Sequence, residues 1–179
     1  MADLKLSETD YALGPADAKV VIVEYASLTC PHCADFHTSV LSEIKKDFVE
    51  TGKVRYVYRD FPLDRSALAA AMVARCSGRE SYFGFIETFY TAQRQWAGAP
   101  NPMEALANLA RLGGMPTKAL EACMQDVDVQ NAILTQRLQA ANEFGIQATP
   151  TVFVNGARYS GGMTLDQMRA LLNRLLSGS

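Results

Sequence analysis

The sequence predicts an α/β protein with an all-helical subdomain inserted into it. Three observations carry that expectation. A β-branched apolar run at residues 20–26, a periodic run at 34–50 and a second strand-like run at 53–59 read together as a βαβ unit. From Asp64 to about Asp126 the chain carries helical signals and no strand signal. Strand signals then return at Thr151-Val152-Phe153-Val154, ahead of a last amphipathic helix.

The elements follow in order. Residues 1–19 are polar, with a turn at Gly14-Pro15, and are expected to form an irregular arm holding at most a short edge strand. Residues 20–26, nearly all apolar, suit a strand covered on both faces. In the following helix Phe36, Val40, Ile44 and Phe48 share one face, and Gly52 suits a left-handed cap. Residues 53–59 form the next strand, which Pro62 stops. Asp64 caps a helix over 65–75, with Leu68, Met72 and Cys76 on one stripe. An aromatic-rich run holds Tyr82, Phe83, Phe85, Phe89, Tyr90 and Trp96 and reads mainly as subdomain core. Asn101, Pro102 and Glu104 supply a cap, a first-turn proline and an acid at the third helical position. Gly113-Gly114 breaks that helix, and residues 116–124 start another, the fourth of the insertion. A longer helix over 129–144 is expected to bury Leu134, Leu138, Ala141 and Phe144 and to stop at Gly145. Asn155-Gly156 signals a tight hairpin, with Arg158-Tyr159-Ser160 returning and Gly161-Gly162 ending the strand. Thr164 and Gln167 form a capping box for the last helix.

With 179 residues, 49% of them hydrophobic, the chain can bury a core without disulfide staples. The expected division is residues 1–63 and 127–179 as the α/β part, with 64–126 inserted. A formal charge of -2, from 17 basic and 19 acidic residues, comes without a long run of one sign. Nothing in it favours nucleic acid or an anionic membrane surface. No apolar stretch approaches the roughly eighteen residues of a membrane span. The start, Met1-Ala2-Asp3-Leu4-Lys5-Leu6, lacks the basic and apolar regions of a signal peptide. It fits either a native Met1 or an exported protein whose leader has been removed.

The chemistry concentrates at Cys30-Pro31-His32-Cys33, where the first strand turns into the first long helix. A cysteine at the helix start meets unpaired backbone N–H groups and the positive end of the helix dipole, which favour a thiolate. Cys30 is thus the expected nucleophile. Cys33, one turn on and buried, is the expected resolving thiol, and His32 adds a donor beside the Cys30 sulfur. The competing reading is half of a zinc site. Four ligands are needed, no second C-x-x-C exists, and His37 is expected on a solvated helix face. No metal and no cofactor are expected.

Cys30-Pro31-His32-Cys33, the helical insertion, Ala148-Thr149-Pro150-Thr151 and the final hairpin and helix resemble the DsbA family of bacterial thiol:disulfide oxidoreductases, in the thioredoxin superfamily. The resemblance runs from about residue 11 to 176. It implies a thioredoxin fold with an inserted helical subdomain, a cis Pro150 packed against the dithiol, and Thr149 offering its backbone to substrate. It also implies a low Cys30 pKa and an oxidising disulfide, neither of which spacing alone establishes. Glu24, six residues before Cys30, matches a buried acid thought to move protons to and from the resolving cysteine. Read as residues, Glu24 is either such an acid or an outward-facing glutamate, with Lys19 or Lys53 as partner. Cys76 and Cys123 read as two small buried hydrophobes. Resemblance to a subset of the family implies instead a structural disulfide between them.

The resemblance implies a monomeric oxidase that transfers the Cys30–Cys33 disulfide to reduced, unfolded exported polypeptides in the periplasm or another extracytoplasmic space. A quinone-linked membrane protein of the DsbB type would reoxidise it. A disulfide isomerase or reductase of the same fold is the alternative, because threonine before the cis-proline also occurs in isomerases. A redox-inert chaperone or metal-binding module is the reading from another class.

Overall fold

The computed structural model describes residues 4–160 and 162–178, so Met1, Ala2, Asp3, Gly161 and Ser179, with the strand-ending role expected of Gly161, lie outside the described residues. A five-stranded sheet runs through the centre in the order β1-β3-β2-β4-β5. The strands are β1 (Tyr11–Leu13), β2 (Val20–Ala26), β3 (Val54–Asp60), β4 (Thr151–Val154) and β5 (Ala157–Ser160). β2 and β3 are parallel; the other neighbours are antiparallel. The sheet is therefore mixed, with the βαβ unit at its middle and β1 as the short edge strand of the arm.

Side chains alternate across a strand, and this parity decides which face each residue serves. Val20, Ile22 and Ala26 join the larger core, under the first helix and the insertion, while Val23 and Tyr25 join the smaller core on the other face. Glu24 has the parity of Ile22 and Ala26. It is aimed into the larger core, on the face that carries the dithiol.

The first helix, α1, covers residues 31–49 and mixes α turns at Pro31–Asp35 and Ser42–Ile44 with π turns at Phe36–Leu41 and Lys45–Val49. Phe36, Val40, Ile44 and Phe48 are all buried. Residues spaced strictly by four drift about 40° per step around an ideal α-helix. The wider π turns cancel that drift and keep the four on the sheet. Thr38, Ser39 and Ser42 each donate a hydroxyl to the carbonyl four residues back, a pattern that bends helices. Gly52 follows with φ 77°, and its missing side chain lets the chain reverse into β3.

The insertion holds α2 (Arg65–Cys76), α3 (Tyr82–Thr91), α4 (Gln93–Trp96), α5 (Pro102–Leu112) and α6 (Thr117–Met124). That makes five helices where the sequence suggests four, because Ala92 leaves helical geometry and splits the aromatic run. Asp64 caps α2 and Asn101 caps α5, each accepting from the backbone N–H three residues on. The Cys76 and Cys123 sulfurs are bonded, tying the end of α2 to α6 with Cα atoms 6.0 Å apart.

α7 (Val127–Phe144) returns to the sheet and α8 (Leu165–Ser177) closes the larger core, with both halves of its capping box formed. The hairpin turn has φ 46° at Asn155 and 79° at Gly156, the left-handed pair such a turn needs. One expectation fails on α7. Leu134 and Leu138 are 36% and 55% exposed, and the buried positions are Ile133 and Ala140. The inward face is partly polar: Gln136 accepts from Asp60 N–H and Arg75, and Arg137 donates to the Pro62 carbonyl. Apolar periodicity misplaces a helix that docks through hydrogen bonds.

Candidate active site

The dithiol sits where β2 ends and α1 begins. Cys30 is the N-cap residue of α1, in extended conformation, and Pro31 takes the first helical position. Its missing N–H costs nothing there. The approach loop is held from two sides. Thr29 donates to Asp64, the cap of α2, and Leu63 N–H donates to Ser27. From the insertion, the buried Gln93 amide donates to the carbonyls of both Leu28 and Cys30, at 2.8 and 3.0 Å.

Both thiols are free and largely buried. The Cys30 thiol is lowered to about 5. A hydrogen bond from the Cys33 thiol is the largest cause; burial opposes it, and the Thr149 side chain and the backbone N–H groups of Cys33 and His32 reinforce it. These are the unpaired donors of a helix start turned onto a thiolate. Burial, the Cys30 hydrogen bond and the charge of Glu24 push the Cys33 thiol well above its ordinary range. His32 reaches Cys30 through its backbone N–H, and its side chain lies on the exposed surface.

The second wall is the loop before β4. The Thr149–Pro150 bond is cis. As a thiol, Cys30 donates to the Thr149 carbonyl at 3.4 Å. The Thr149 hydroxyl is then buried without a partner among the described residues, available to donate once Cys30 ionises.

Glu24 is completely buried beneath this pair. Its Oε2 accepts the Tyr56 hydroxyl at 2.5 Å and lies 2.9 Å from Nε2 of His37, while Oε1 has no partner among the described residues. Two expectations are corrected here. Lys19 and Lys53 are not the partners, because parallel pairing sets Glu24 against Tyr58 and leaves both lysines at the opposite strand end. Five residues of strand are about 16 Å. His37 is not on a solvated face: its side chain is only 9% exposed and its ring stacks on Tyr90, with centroids 4.1 Å apart. Its position four residues after Cys33 puts it on the same helix face, a signal present in the spacing. Gln93 was legible only as a polar residue interrupting an aromatic run. Among the described residues, no group of three or more His, Cys, Asp or Glu side chains is placed to hold a metal ion, and no helix is long and apolar enough to cross a membrane.

A family model described as thioredoxin matches residues 6–174. A Rickettsia felis protein named as a protein-disulfide oxidoreductase is 32% identical over 173 residues, which are 96% of this chain and 62% of the relative. The chain thus spans less than two thirds of that relative's length. Among solved structures, α-DsbA1 of Wolbachia pipientis superposes with a TM-score of 0.92 at 30% identity, covering 98% of this chain and 94% of the other. BdbD of Bacillus subtilis shares the fold, with a TM-score of 0.78 at 22% identity and 94% of each chain covered.

Proposed function

The chain belongs to the DsbA-like branch of the thioredoxin family, and on that premise we propose that it is a thiol:disulfide oxidoreductase working as an oxidase. One observation carries the reading: within one helical turn, the Cys30 thiol is lowered to about 5, which makes it a thiolate at neutral pH, while Cys33 is held as a thiol. A stabilised reduced form makes the corresponding disulfide a better oxidant.

In the reaction, a thiolate of a reduced polypeptide attacks the Cys30 sulfur of the Cys30–Cys33 disulfide. A mixed disulfide forms, and Cys33 leaves with the electron pair of the broken bond and takes up a proton. A second substrate thiolate attacks the substrate sulfur, and Cys30 leaves as the stabilised thiolate. The substrate departs oxidised and the enzyme reduced. Thr149 and the cis Pro150 present a backbone edge to the peptide, Pro31 and His32 set the helix start around Cys30, and Glu24 exchanges the proton of Cys33. The Cys76–Cys123 bridge fits an oxidising compartment. We extend the reading to a monomer in the periplasm or a similar space, acting on exported proteins. Reoxidation there falls to a quinone-linked membrane protein of the DsbB type.

Two measurements test this: the Cys30–Cys33 potential against glutathione, and oxidative refolding of a reduced, disulfide-requiring protein. A potential near that of thioredoxin, about −270 mV, overturns the oxidase reading. Thr149 favours a second reading, disulfide isomerisation, which recovery of activity from a scrambled substrate without net oxidation would support.

A further inference from the structure

A cavity of about 270 Å³ has neither Cys30 nor Cys33 in its lining. It lies between α1 and α3, and its lining includes His37, Lys45, Tyr56, Phe83, Glu87 and Tyr90. Glu24 itself does not line it. A wholly buried carboxylate that trades protons with Cys33 needs a group to connect it with water, since an isolated charge there is costly. Two side chains both bond Glu24 and line the cavity, Tyr56 and His37. They differ in chemistry. Burial and the neighbouring Glu24 push the Tyr56 hydroxyl well above 10, so it orients the carboxylate without giving up its proton. An imidazole can accept a proton at one nitrogen while releasing one from the other.

The surroundings hold the imidazole in place. Glu24 faces it from β2, Tyr56 and Tyr58 from β3 and the stacked Tyr90 from α3. The Tyr90 hydroxyl is tied to that of Tyr58 at 2.9 Å. The charged groups beside the cavity, Lys45 and Glu87, approach each other to 3.7 Å, a weak pair that leaves the imidazole to Glu24.

We propose that His37 is the outlet of the proton path from Cys33, passing protons between Glu24 and water in this cavity. The inference rests on the reading that Glu24 serves Cys33. When a substrate thiolate opens the Cys30–Cys33 bond, Cys33 leaves with the electron pair and takes a proton from Glu24. Glu24 recovers one from His37, and His37 recovers one from cavity water. When Cys33 instead attacks a mixed disulfide, each proton moves the other way, and the substrate leaves as a thiolate. His37 touches no reacting sulfur. It is a positioning residue that acts through Glu24.

The test is the rate at which a peptide dithiol reduces the oxidised protein, from pH 5 to 9, in His37→Gln, Glu24→Gln and the double variant. Glutamine keeps a hydrogen bond to Glu24 but cannot titrate. His37→Gln is expected to slow reduction about tenfold or more near pH 7 and to flatten the pH profile. The double variant is expected to be no slower than Glu24→Gln alone. In His37→Ala, added imidazole is expected to enter the vacated space and restore most of the rate. A wild-type rate and profile in His37→Gln, with Glu24→Gln slow, overturns the inference and leaves the Glu24 reading standing. A wild-type rate in Glu24→Gln overturns both. Slow His37 variants with an unchanged pH profile and no response to imidazole mark a structural role and also overturn it. Should the variants fail to fold, NMR titration of His37 in the wild-type protein decides: its midpoint is expected to differ between oxidised and reduced forms, and identical midpoints overturn the proposal.

Discussion

The sulfur of Cys30 lies 3.4 Å from the carbonyl oxygen of Thr149, a residue 119 positions further along the chain. β2 and β4 are antiparallel neighbours, with Tyr25 paired to Thr151. The end of one strand therefore meets the start of the other, and the dithiol faces the loop before Pro150. Every test of the site depends on that meeting of two strand ends.

In the reduced protein, thiolate absorbance and alkylation of Cys30 should titrate with a midpoint of about 5, against an ordinary value of about 8.5. Folding linkage follows from it. Between those two values the unfolded Cys30 binds a proton that the folded one has released, so stability rises with pH. It is lost again as pH falls through the folded midpoint. Above about 8.5 the sign reverses, because folded Cys33 keeps a proton that the unfolded chain gives up. Urea unfolding of the reduced protein across this range, with the oxidised protein as control lacking both thiols, should show this rise and fall. Parallel curves for the two forms would contradict it.

Gln93 ties the insertion to the dithiol loop, and Gln93→Leu takes the amide donor from the Leu28 carbonyl and leaves the Cys30 carbonyl the Ala34 N–H alone. Buried acceptors stripped of a partner cost roughly 1–3 kcal/mol. Denaturant unfolding should show that loss. The Cys30 titration should move upward as the helix start loosens, and an unmoved midpoint would mean the loop is held without Gln93.

The bridge between Cys76 and Cys123 closes a separation of 47 residues. On the chain-entropy account, its removal in a Cys76→Ala/Cys123→Ala protein costs about 4 kcal/mol. The melting temperature should fall while the Cys30 alkylation profile stays in place. Mass spectrometry of the oxidised wild-type protein should find neither thiol open to alkylation.

Arg59 is buried in the sheet with its guanidinium on both oxygens of Asp10, at 2.9 and 2.8 Å, and on the Tyr25 hydroxyl. Burial works against its charge, but these hydrogen bonds outweigh it and hold its pKa above the ordinary value. Asp10→Ala leaves that charge unpaired and should cost roughly 3–5 kcal/mol. An Asp10→Ala/Arg59→Met protein should recover part of the loss in the same urea titration. Equal loss in both would show that the arm packs through β1 alone.

Local pattern was enough for most of the elements. The caps at Asp64, Asn101 and Thr164, the Asn155-Gly156 turn and the apolar stripe of α1 each depend on residues within a few positions of one another. That is the range over which backbone hydrogen bonding is decided. Cys30 at a helix start was legible for the same reason, and the Cys33 and His32 donors that lower its thiol lie within its own first turn, while Thr149 adds to them from the loop before β4. α7 shows where pattern fails: its inner face is held by Gln136 and Arg137, which a hydrophobic stripe does not register.

The sequence by itself determined the βαβ unit, the dithiol and the presence of a lone acid in an apolar strand. Only the tertiary structure decided what that acid touches. Strand parity turns Glu24 into the larger core, β3 brings Tyr56 across to it, and the wider turns of α1 carry His37 down beside Tyr90. Those partners come from elements far apart in the chain. A hydrogen bond between them has no local signature, because it exists only once the sheet and helix have packed.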